Sequence, residues 1–274
     1  MQAVALHRDV LVARSAIMQV NCVIVRSPVA TEGASAGARE IGGEVFVIDS
    51  PILPDELDAL SALLEQARFP APSGLLATHA DWDHLLGRLA FPGLALGCAE
   101  STAERLVSSP GEAQRELRAF DEGLLIERDR PLALGSVQAL PVPGRCLLGE
   151  HELELHPAGG HTPDGMAVLI PWARVLLAGD YLSPVELPTF SEGGDLDAYL
   201  ATLDRLRPLA ANAEHVVPGH GPVLDRTRAL AVLEEDAGYL RALAEHGGKA
   251  ALPAGRSGGA QRRLHSENVA ALGR

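Results

Sequence analysis

Apolar residues cluster in short, β-branched blocks through the first quarter of the chain. They predict strands over residues 4–13 (VALHRDVLVA), 18–25 (MQVNCVIV) and 44–49 (EVFVID). Between the last two, the 26–43 stretch is too polar and glycine-rich for a core element and is expected to be an exposed loop or a flap. Leu57, Leu60, Leu63 and Leu64 then recur at helical spacing in PDELDALSALLEQARF, which opens with a proline and acidic residues as a helix start does. GLLAT (74–78) is a short apolar strand, HLLGRLAF opens another helix, and residues 100–120 form a helical excursion broken at Ser109-Pro110-Gly111. In the second half, LALGSVQALPV, HELELHP, GMAVLIP and RVLLAGD predict strands. LDAYLATLDRLRPL predicts a helix, EHVVP a strand, and Asp225 to about His246 a longer helix. Residues 247–261 are expected to be a loop before a short terminal helix, HSENVAALGR.

Within each half, strands come first and helices follow, without strict βαβ alternation, which suits two mixed sheets with helices outside them. No linker interrupts the 274 residues, so one domain is expected over 1–274, with its core at about 18–246. No apolar run approaches the ~20 residues of a membrane-spanning helix, and the first residues lack the features of a secretory signal. Cys22, Cys98 and Cys146 are too few and too dispersed for a disulfide framework or a thiolate metal site, and the first two are expected to be buried small hydrophobes. These features point to the cytoplasm. A net charge of −13 argues against nucleic acid as a partner, and neither a membrane nor an oligomeric state is called for. Twenty-two arginines stand beside a single lysine, Lys249; we read this as compositional bias, with little functional content in the arginines.

Chemistry concentrates at Thr78-His79-Ala80-Asp81-Trp82-Asp83-His84. Two histidines and two carboxylates fall within six residues where an apolar strand gives way to a helix. Crowded like this they would desolvate and repel one another unless a cation joined them. Three later sites follow strands in the same way: His161 in Gly-Gly-His-Thr-Pro, Asp180 in Leu-Ala-Gly-Asp, and His220 in Pro-Gly-His-Gly. Each alone is a weak signal; the ordered set is a strong one.

In these residues the chain resembles the metallo-β-lactamase superfamily, whose signature is H-x-H-x-D-H followed by histidine in G-H-T, aspartate after a strand, and histidine in G-H. The resemblance runs from about residue 18 to 246 and implies an α/β (α+β) fold, a four-layer αββα sandwich. It also implies two divalent metal ions, zinc by default with iron or manganese as alternatives. The first would be held by His79, Asp81 and His161 and the second by Asp83, His84 and His220, with Asp180 bridging. Asp83 would also be catalytic, orienting the hydroxide that the metals generate. Position 81 departs from the pattern, carrying aspartate where the family has histidine. Carboxylate oxygen still binds zinc, but three aspartates and a hydroxide cancel two divalent cations, which makes iron and manganese more competitive.

The implied activity is a metal-dependent hydrolase acting on a small-molecule ester, thioester or lactone, similar to the glyoxalase II branch. The segment after Asp180 lacks the lysine that holds a β-lactam carboxylate. Two alternatives share the fold: a mononuclear iron dioxygenase using His79, His161 and Asp180, and a diiron redox protein like the flavodiiron group. Tyr181 is expected to line the substrate pocket, with Glu186 and Phe190 as further candidates. Arg256, Arg262, Arg263 and His265 are expected at the solvated surface.

Overall fold

The computed structural model describes residues 1–28 and 43–273, so the expected 26–43 loop lies almost wholly outside the described residues. The chain divides into two compact units, Met1–Glu154 and Leu155–Arg274.

The first unit holds a seven-stranded sheet in chain order: β1 (Gln2–His7), β2 (Val10–Arg14), β3 (Asn21–Arg26), β4 (Val45–Ile48), β5 (Gly74–Leu76), β6 (Leu96–Ala99) and β7 (Val137–Leu140). The first four pair antiparallel; β4 through β7 run parallel. The single strand expected over 4–13 is two, because the chain turns at Arg8 and Asp9 and pairs with itself. Asp9 is buried and takes both Nε and Nη2 of Arg26, an ion pair that fastens this turn to the end of β3. Every residue of β3 is buried, and Cys22 and Ile24 enter a core with Val45, Val47, Leu75, Leu96 and Cys98. Cys22 and Cys98 are thus the buried small hydrophobes expected of them. The strand at β6 escaped the sequence reading, because LGCA has no β-branched residue to mark it.

Helix α1 (Pro54–Gln66) lays Leu57, Leu60 and Leu64 on this sheet. A 3-10 turn at Trp82–His84 precedes α2 (Gly87–Ala90), shorter than the helix expected there. The excursion after β6 is α3 (Glu100–Ser108) and α4 (Glu112–Leu124), with the break falling at 109–111 as the Ser-Pro-Gly sequence requires.

A second sheet runs in the order β13-β12-β11-β10-β9-β8. Its strands are β8 (Gly144–Leu148), also unmarked in the sequence, β9 (His151–Pro157), which crosses the unit boundary, β10 (Met166–Ile170), β11 (Val175–Gly179), β12 (His215–Pro218) and β13 (Leu224–Asp225). In the second unit β11 pairs parallel with β12 and antiparallel with β10. Leu176, Ala178 and Val216 pack with Leu203 and Leu206 of α5 (Leu196–Asn212) and with Leu233 and Leu240 of α6 (Arg226–His246). Asp195 and Asp225 cap these two helices by accepting the amides of Ala198 and Arg228. The terminal helix α7 (Gly259–Ala271) starts within the stretch expected to be a loop. Among the described residues no helix is long and apolar enough to cross a membrane.

One buried carboxylate ties the start of α1 to the strand region. Glu56 accepts from the Ser15 hydroxyl at 2.5 Å, the Ala16 amide at 2.8 Å and the Leu53 amide at 3.3 Å, the last being the backward reach of a third-position glutamate in a helix start. Burial pushes its pKa up, but these hydrogen bonds, Ser15 foremost, and the Met1 ammonium 2.9 Å from Oε1 bring it below the ordinary 4.5. Because the folded value is the lower one, the stabilisation is present above pH 4.5 and lost as pH falls through the folded value. Glu56→Ala is expected to lower the unfolding free energy by about 2–4 kcal/mol at pH 7. In urea titrations at several pH values, the gap between variant and parent should close toward acid pH.

Candidate metal centre

In the first unit the chemistry is organised around Asp49, which follows β4 in the left-handed region (φ 55°), a conformation aspartate tolerates better than most residues. That turn carries its buried carboxylate to Thr78, whose amide it accepts at 2.8 Å and whose hydroxyl it accepts at 2.9 Å. The same carboxylate lies 3.0 Å from Nδ1 of His84. Thr78, its hydroxyl proton directed to Asp49, accepts from Nδ1 of His79 at 3.1 Å. Both rings therefore turn Nδ1 into the protein and Nε2 toward the acidic residues between them. His79 Nε2 is 3.6 Å from Asp81 Oδ2, and His84 Nε2 is 3.6 Å from Asp83 Oδ2. The ligand-type atoms of His79 and His84 approach within 4.8 Å.

Asp81 has a further partner that nothing in the local pattern singles out. Arg105, in the last turn of α3, donates to Asp81 Oδ1 at 2.8 Å and to Glu112 of α4 at 3.3 Å. Glu116, one turn further along α4, is pushed above the usual carboxylate range by burial and then by the negative charges of Asp81 and Glu112, with Arg105 pulling the other way.

The second unit holds His161, Asp180 and His220. Asp180 leaves the end of β11, and a Cβ at position 219 would fall on its carboxylate, so the turn before His220 must be glycine. Asp180 Oδ2 sits 3.4 Å from Nε2 of His161 and 3.2 Å from Nε2 of His220. One carboxylate oxygen thus faces two imidazoles. His161 Nδ1 lies 2.9 Å from the Thr189 carbonyl. A carbonyl only accepts, so the neutral ring carries its proton on Nδ1 and its lone pair on Nε2. The glycine turn that presents this ring is equally constrained: Gly160 has φ 126°, and a Cβ there would run into the backbone of Tyr199.

Tyr181, expected at the substrate pocket, is only 2% exposed. Its hydroxyl accepts the His161 amide at 3.0 Å and donates to the Ala158 carbonyl at 3.1 Å, and burial raises its pKa. Its hydroxyl thus supports the His161 turn. Phe190 packs edge-on against Tyr199. Glu186 is more open, with its carboxylate 3.9 Å from His220 Nδ1.

The loop from Asp180 to Thr189 is held from the C-terminal side. Arg256 donates through Nη1 to the carbonyls of Ser183 and Glu186 and to Asp236 at 2.6 Å, and through Nη2 to Glu235. Gln261 donates to the Val185 carbonyl and Asn268 to that of Pro188. Arg256 was expected at the solvated surface, but it is 1% exposed, drawn inward by Asp236 and these carbonyls. Arg262 and Arg263 are exposed as expected, whereas His265 is partly buried against Tyr239. Burial pushes Asp236 up to about 7 against the pull of Arg256. Arg256→Met is expected to lower the unfolding free energy by about 3 kcal/mol, because Asp236 and the loop carbonyls lose a buried partner. Chemical denaturation of variant and parent measures this, and a loss too small to resolve would show that the clamp contributes no stability.

A family model described as the metallo-beta-lactamase superfamily matches residues 39–220. The chain is 34% identical over 74 residues to the Beta-lactamase-like protein 2 homolog of Caenorhabditis elegans, a stretch covering 27% of this chain and 23% of that protein. The chain therefore spans under a quarter of that relative's length. Among solved structures, the metallo-beta-lactamase family protein TTHA1429 from Thermus thermophilus superposes with a TM-score of 0.65 at 20% identity, covering 97% of this chain and 92% of that one. TTHA1623, solved in a di-iron-bound form, gives 0.57 at 23% identity over 81% and 97% of the two chains. At such identities the likeness is one of fold.

Proposed function

Since the chain belongs to the metallo-β-lactamase superfamily, we propose that it is a two-metal hydrolase of small-molecule esters, thioesters or lactones. His79, Asp81 and His161 would hold one ion, Asp83, His84 and His220 the other, and Asp180 would bridge them. The observation that carries this reading is a spacing. A charge-assisted hydrogen bond brings nitrogen and oxygen to about 2.7–2.9 Å, whereas two ligands on one tetrahedral ion with bonds near 2.0–2.1 Å stand about 3.3 Å apart. The Nε2-to-carboxylate distances of His79, His84, His161 and His220 fall between 3.2 and 3.6 Å, near the second value. The Nδ1 contacts of His84 and His161, at 2.9–3.0 Å, are hydrogen bonds by the same measure. Rings tied at Nδ1 with Nε2 set at ligand spacing suit a cation.

Two bound ions would supply a water acidified to near-neutral pH and an electrophile for a carbonyl oxygen. The chain's own residues would do the rest. Asp83, buried beside His84, would accept the water's proton and aim its oxygen at the substrate. Asp49 and Thr78 would keep the His79 and His84 rings from rotating as charge moves through the site. Glu186, the exposed carboxylate near His220, would border the substrate and disfavour anionic groups on that side.

Elemental analysis of protein reconstituted with zinc, manganese or iron should give two ions per chain, iron being included because TTHA1623 was solved with two. A panel of esters, thioesters and lactones should show metal-dependent turnover, and Asp83→Ala should reduce it about a hundredfold or more. One iron per chain with oxygen uptake and no hydrolysis would sink the assignment in favour of a dioxygenase.

A further inference from the structure

Asp81 does not offer both of its oxygens to a ligand site. Oδ2 faces His79 Nε2 at 3.6 Å, while Oδ1 accepts from Arg105 Nη1 at 2.8 Å. The guanidinium is anchored on its far side by Glu112, so its position does not depend on Asp81 alone. Both partners are partly buried, the side chains of Asp81 and Arg105 being 17% and 13% exposed, where an ion pair is screened less than at the surface. The charge balance drawn from the sequence, three aspartates and a hydroxide against two divalent cations, omits this guanidinium. Locally the guanidinium stands against Asp81 Oδ1, while the Glu112 carboxylate on its other side keeps the wider sum unchanged.

We propose that Arg105 is a positioning and specificity-determining residue: it restricts Asp81 to a single ligand oxygen and offsets its charge, so that the pair, and not a free carboxylate, sets the metal preference. This rests on Asp81 being a ligand as proposed above. A carboxylate with both oxygens available can bind an ion through two atoms and raise its coordination number, which favours manganese or iron over tetrahedral zinc. One held by a guanidinium contributes one oxygen in a fixed direction. Lysine would keep the charge and lose the planar fork.

The test is a double-mutant cycle read by metal binding, without turnover. The zinc and manganese dissociation constants of the full-length protein would be measured by chelator competition in wild type, Arg105→Gln, Asp81→His and the double variant. Arg105→Lys would serve as a conservative second variant. Arg105→Gln is expected to shift the zinc-over-manganese ratio about tenfold toward manganese, and Arg105→Lys by less. In the Asp81→His background the same change should move the ratio less than twofold, because no carboxylate remains to be held. An unchanged ratio in both Arg105 variants, or an equal shift with histidine at 81, would falsify the proposal. If wild type binds both metals but hydrolyses nothing, the hydrolase reading fails while the cycle still decides the role of Arg105. If wild type binds no divalent metal, both fall.

Discussion

An imidazole that holds a cation through one nitrogen almost always donates from the other, which inside a fold means placing an acceptor behind the ring. In this chain the acceptors behind three of the histidines are groups outside the candidate ligand set. Asp49 stands behind His84 and, through Thr78, behind His79; the Thr189 carbonyl stands behind His161. Asp49 must leave β4 in a left-handed turn to reach Thr78, and Gly160 must adopt a conformation closed to other residues to let His161 face Thr189. A carboxylate as enclosed as Asp49 is stable only with its lone pairs occupied, and Thr78 and His84 together occupy them.

What the sequence revealed follows from this division of labour. The seven ligand-type residues were legible because they sit in glycine-flanked turns or directly after apolar runs, a pattern with few other uses. Asp49 bore the same mark, a carboxylate ending the strand EVFVID, and could have been read beside Asp180. Arg105 could not: it is one of twenty-two arginines, and what sets it apart is the direction of a side chain from the last turn of α3. Thr189 acts through its carbonyl, which carries no residue identity at all. Tyr181 follows Asp180 in sequence, but its burial and its hydrogen bonds to the His161 amide and the Ala158 carbonyl, beside a backbone turn at Leu182 (φ 62°), are encoded by no local pattern.

Helices and strands divide in the same way. The long helices α1, α5 and α6 have apolar residues at helical spacing and acidic or capping starts, so local physics specified them. The strands β6 and β8 are short, and their pairing with neighbours, which no local pattern encodes, is what makes them strands. The start of α7 at Gly259 was hidden by a glycine-rich stretch that reads as loop.

The clamp on the Asp180–Thr189 loop also has a temporal meaning. Its donors lie 70 to 80 residues beyond the carbonyls they hold. Contacts of such long sequence separation form late, since a large loop must close before they return any energy. The sheet and the α5–α6 pair can assemble from nearer neighbours, so the loop carrying Thr189 would be among the last parts of the second unit to settle. His161 would acquire its fixed tautomer only then. Competence to take up metal would in that case arrive as a distinct late event in maturation, after the body of the unit is already folded.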